Sequence, residues 1–171
     1  TLDITEDTLD ITEDTSTCTI APLYATKVIS FTPGLNAGYG QETFPEVVLG
    51  PPLQGPSSTG SLDVLSLGID GTIVLGFDTV IQDGPGPDFI VWENAFWVGG
   101  NSENVFQELG EVAVSEDGDT WTVFPCDSEQ SEGFDTGCAG WRPRLEFDPC
   151  STVSLVPELV GGDPFDLSDV G

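Results

Sequence analysis

The chain has 171 residues, 30 acids against three bases for a formal charge of −27, and no histidine. A field of that sign repels nucleic acid and anionic membranes, so nucleic-acid binding is not expected, and with no membrane-length apolar run neither is membrane insertion. Without histidine, Ser-His-Asp and Cys-His catalysis and the usual near-neutral proton shuttle are excluded. Carboxylate pairs remain, but among 30 acids a pair carries no specificity, and the expectation is a protein that is not an enzyme. Apolar residues make up 38% of the chain, enough for a folded core, and the length suits one domain plus an arm.

Residues 1–17 form that arm, with the domain expected over 18–171. Thr1–Asp7 and Thr8–Asp14 are the same heptad written twice. Leu2, Ile4, Leu9 and Ile11 alternate with polar residues, the period-two pattern of a half-buried strand. A lone strand is unstable, so its neighbours must come from elsewhere. One reading is a donor strand that completes a sheet in its own or another subunit. The other is an acidic linker.

Past the arm, 21 glycines and 13 prolines leave only short runs between turns. Ala25–Phe31 reads as the first strand. Leu62–Leu67 and Thr72–Phe77 flank Gly68–Gly71 as a hairpin, after a polar loop over Gly50–Ser61. Phe89–Trp92 reads as a central strand. Glu103–Leu109 fits one helical turn. Glu111–Ser115 and Thr120–Phe124 flank an Asp117-Gly118 turn, the strongest hairpin signal here. Trp141–Phe147 and Thr152–Val156 are weaker strands. This spacing argues for an all-β fold, a β-sandwich or jelly roll with an extended N-terminal strand arm.

Cys18, Cys126, Cys138 and Cys150 lack Cys-x-x-Cys spacing, so a zinc ribbon is not expected. Four cysteines allow three connectivities. The polar loop between Cys126 and Cys138 favours a local bridge, which would leave Cys18 for Cys150. Disulfides would place the chain outside the cytoplasm, whereas four reduced thiols would place it inside. For metal, Asp83 and Asp88 bracket a Gly/Pro loop, Glu93 and Asn94 end the following strand, and Asp163, Asp166 and Asp169 recur at intervals of three. Calcium takes six to eight oxygens from such carboxylates, amides and carbonyls. One strand cannot bring Asp88 and Glu93 to one ion, so the late acids must fold back to one end or the other. The competing reading is that these acids are turn formers and solvated charges. Trp97, in a Gly-rich stretch, is a candidate for stacking on a sugar, for the core, or for an intersubunit contact. Trp92 and Trp121 read as core.

From Ile29 onward the chain resembles a family of largely uncharacterised bacterial secreted and cell-surface proteins. The matching text includes Ser30–Gly34, Val48–Pro52, Gly60–Gly68, Asp83–Phe89, Trp92–Phe96, Cys138–Gly140 and Gly161–Leu167. The resemblance implies a secreted or surface-bound protein with a galactose-binding-like jelly roll. Val112–Val123 is also similar to a hairpin of discoidin-type jelly rolls. In the proteins resembled, the Gly161–Leu167 segment leads into another apolar strand, and the doubled heptad is not part of the pattern. The expected function is therefore a structural subunit of an extracellular filament or surface assembly. It would polymerise head to tail with copies of itself by strand donation, braced by calcium and disulfides. The alternative is a calcium-dependent carbohydrate-binding module of a larger surface protein, with a glycan as partner.

Overall fold

The structure, a computed structural model, describes residues 24–52, 60–127, 137–145 and 156–171. The arm with Leu2, Ile4, Leu9 and Ile11, both Cys18 and Cys150, and most of the weak strand at 152–156 lie outside the described residues.

The chain is predominantly β, and the described strands pair as five two-stranded antiparallel ladders. The first joins β1 (Lys27–Thr32) to β2 (Thr72–Gly76), with a register irregularity between Val28 and Ser30. The second joins β3 (Phe89–Val91) to β10 (Asp163–Phe165), placing Phe89 opposite Phe165 and Val91 opposite Asp163. β4 (Phe96–Trp97) pairs with β5 (Val105–Phe106), β6 (Gly110–Glu111) with β9 (Cys138–Ala139), and β7 (Ala113–Val114) with β8 (Thr122–Val123). A short α-helix, α1 (Pro157–Val160), leads into β10 and starts on a proline, where a missing N–H costs nothing.

The core forms where β3, β10 and the β7–β8 hairpin meet. Phe124, Ala139 and Phe165 are buried, with Phe89, Val91, Val112, Val114, Leu167 and Val170 packed around them. Phe89 stacks on Phe165 at 5.2 Å, and Phe124 meets Phe165 edge-on at 4.9 Å, both favoured aromatic geometries. Gly162 is what lets β10 approach: a Cβ there would fall 2.6 Å from Ile90 and 2.7 Å from the Trp92 ring. Its φ of 76° is also one that L side chains rarely adopt. The Cys126–Cys138 disulfide ties the segment after β8 to β9, and it is the pairing that the spacing favoured.

Several expected elements are replaced. Residues 62–67 do not pair with β2, whose partner is β1. With Gly68 and Asp70 at positive φ, the chain turns so that Ile69 bridges Leu35. Residues 66 and 67 then bond Tyr39 and Gly34 rather than the next strand. Glu103–Leu109 forms no helical turn. The Asn101 side chain accepts from the Glu103 N–H and bends the chain into β5. There Phe106 stacks on Phe96 across the ladder at 4.9 Å. Residues 141–145 form no strand, only an isolated bridge from Arg144 to Gly161, while the preceding Cys138–Ala139 pairs instead. Trp121 is not core: 41% of it is exposed, because its indole N–H reaches back to the Gly118 carbonyl and holds the ring over the turn.

Candidate functional site

The β3–β10 ladder decides which acids meet. Because β10 runs antiparallel to β3, residues just after β10 return to the start of β3 and Asp163 lies towards its end. The late acids therefore divide between the two ends of the ladder.

At the start of β3, side-chain oxygens of Asp83, Asp88 and Asp166 all lie within 4.8 Å of one another. Asp88 is the organiser. One of its oxygens accepts from the Gly84 N–H at 2.8 Å and closes the Gly/Pro loop. The other accepts from the Leu167 N–H at 2.7 Å and fixes the segment after β10. The Asp88 N–H in turn donates to the Phe165 carbonyl at 2.8 Å. Asp166 caps the turn that follows, accepting from the Ser168 N–H and hydroxyl at 2.9 and 2.6 Å. Carboxylate oxygens have lone pairs to spare after one such bond. Three carboxylates this close repel one another, and a bound divalent cation would reverse that repulsion. The acidic group could hold a metal ion.

At the other end of β3, Asp163 is only 2% exposed. One oxygen accepts from the N–H groups of Gly140 and Trp141 at 2.7 and 3.1 Å, the other from Arg142 at 3.2 Å. Burial raises its carboxyl to about 6, against the pull of those amides and of the Arg142 charge. Glu93 is raised as well, first by burial and then by the negative charges of Glu108 and Asp163. Asn94 clamps the backbone of Ser61, accepting its N–H at 2.7 Å and donating to its carbonyl at 3.1 Å. Asp169 is exposed, in the turn that Asp166 caps. Of the seven acids and amides expected to bind metal, the structure thus brings together Asp83, Asp88 and Asp166. It gives Asp163 and Asn94 backbone partners elsewhere.

Trp97 is half-buried in β4, opposite Val105, rather than in a loop facing solvent. Reasoning from sequence missed Asp163 as a backbone receptor and Ser61 as the partner of Asn94. Neither leaves a local signal, since the partners are 23 and 33 residues away.

The disulfide suggests an oxidising compartment. Among the described residues no helix is long and apolar enough to cross a membrane. Comparison with protein families, curated proteins and solved structures finds no match to this chain.

Proposed function

We propose that the chain is a non-catalytic structural subunit of an extracellular assembly, joined head to tail by strand addition from residues 1–17 and braced by calcium at Asp83, Asp88 and Asp166. The observation that carries this reading is unfinished backbone pairing. Among the described residues each strand pairs with one neighbour, and a strand edge without a ladder partner is a template for an added strand. The sequence supplies a matching strand twice over in Leu2-x-Ile4 and Leu9-x-Ile11. Main-chain bonds would give affinity and alternate pockets would set register, as in other β-addition complexes. Donation between copies is heterologous, and where its rotation does not close, it builds an open fibre.

The test is deletion of residues 1–14 followed by electron microscopy and light scattering. Fibres or large polymers from the intact chain, and monomers from the truncated one, are the expected pair of results. A truncated chain that polymerises like the intact one sinks the proposal.

A further inference from the structure

Beside the β7–β8 turn lies an open cavity of about 490 Å³, lined by Ile29, Val74, Leu75, Ser115, Asp117 and Trp121 among others. It is removed in sequence from both acid groups at the ends of β3, and its chemistry is different. The floor is aliphatic, and Ile29 is 61% exposed. The wall is the Trp121 ring, 41% exposed and held in one orientation by its bond to the Gly118 carbonyl at 3.2 Å.

Asp117 supplies a fixed anion at the rim. One of its oxygens accepts from the Thr120 and Asp119 N–H groups at 2.7 and 2.8 Å and from the Ser115 hydroxyl at 3.1 Å. These bonds, the two backbone ones first, hold its carboxyl down at about 2, so it is charged at any physiological pH. Among the described residues the other oxygen accepts from the Thr120 hydroxyl alone, at 3.3 Å, and keeps room for another donor. Glu116 and Asp119 add exposed acids on the same turn. The chain's own Lys27 lies at the edge of this surface. Its stem lies so close to Gly76, which lines the cavity, that a Cβ there would be 2.7 Å from Lys27 Cε, and its ammonium reaches Asp78 at 3.8 Å.

We propose that this groove docks a lysine or arginine side chain from a basic segment of a partner protein. An alkyl stem would lie on Ile29, Val74 and Leu75, as long cationic side chains do on apolar surfaces. The charged head would sit over the Trp121 face and beside Asp117, where ring quadrupole and carboxylate attract it together. Charge selects this occupant over the others. With Asp117 at its rim, in a chain of net −27, this groove attracts basic side chains and disfavours anionic ones. Its own N-terminal heptads carry Asp3, Glu6, Asp7, Asp10, Glu13 and Asp14 with no cation, and so are the wrong sign for this groove.

The test is calorimetric titration of the intact chain with a hexalysine peptide. Trp121→Leu keeps apolar area but removes the π face, and it should weaken binding by roughly tenfold, while Trp121→Phe should retain most of it. Asp117→Asn should also weaken binding. Because it also weakens the bonds that hold the turn, the two Trp121 variants carry the decision. Added salt should weaken binding to the wild type. Equal affinity for wild type and Trp121→Leu would overturn the proposal, since the peptide would then be held by the acidic surface at large. Displacement of hexalysine by a neutral oligosaccharide would overturn it too.

Discussion

Three backbone N–H groups converge on the buried carboxylate of Asp163, and they hold the 140–142 segment against β10. Its titration has an unusual sign for an aspartate. The folded carboxyl is raised to about 6 from 3.8, so between those values the folded chain binds a proton that the unfolded chain does not. Stability from this group therefore grows as pH falls from 7 towards 4, by up to about 3 kcal/mol. Glu93 is raised and acts in the same direction. Urea midpoints should be higher at pH 5 than at pH 7. Asp163→Asn should be less stable at both and should flatten the response, because an amide cannot accept from all three donors. A midpoint that falls steadily from pH 7 to pH 5 would contradict the assignment. The sequence marks Asp163 only as one acid among 30, because nothing local to it announces partners 22 residues away.

At the scale of elements, β10 is held by its ladder to β3, by Phe165 in the aromatic cluster and by the Asp88 carboxylate. Asp88→Ala would leave the Gly84 and Leu167 N–H groups without their acceptor, at a cost of about 3 kcal/mol for two bonds to a charged group. Amide exchange should speed up around residues 163–170 while the β7–β8 hairpin keeps its protection. Uniform loss of protection across both would show that the two elements open together. That hairpin was the most legible element in the sequence, because Ser115, Asp117 and Gly118 encode their turn within four residues. The β1–β2 ladder was not legible as a pair. Its strands are separated by a segment whose backbone bonds return to residues 34–39, and a period-two pattern names a strand without naming its partner. The expected helical turn at 103–109 failed for a related reason: stacking of Phe106 on Phe96 is decided by a residue outside the window.

For the molecule as a whole, the expected calcium site is a question of linkage. An ion that binds only the folded chain at about 100 times its Kd adds about 2.7 kcal/mol. In a chain of this size that should raise Tm by about 5–10 °C over a chelated sample. Asp88→Ala should remove most of the difference. Equal melting curves in chelator and in excess calcium would remove the ion from the account. The candidate site was partly legible: Asp83, Asp88 and Asp166 were all named from their spacing and loop chemistry. Which end of β3 the late acids would join was open, because antiparallel and parallel returns use the same residues and only the pairing of β10 separates them.

That pairing also orders events in time. Asp88 and the residue that its carboxylate grips lie 79 positions apart, and Phe165 is needed to complete the aromatic cluster. A chain leaving the ribosome N-terminus first, at roughly 5–20 residues per second, exposes Phe89, Val91 and Phe124 for seconds before their last neighbour is made. The hairpin can close at once, but the core waits. Until residue 165 arrives, like charge along the strand is the main protection these aromatics have against sticking to other nascent copies.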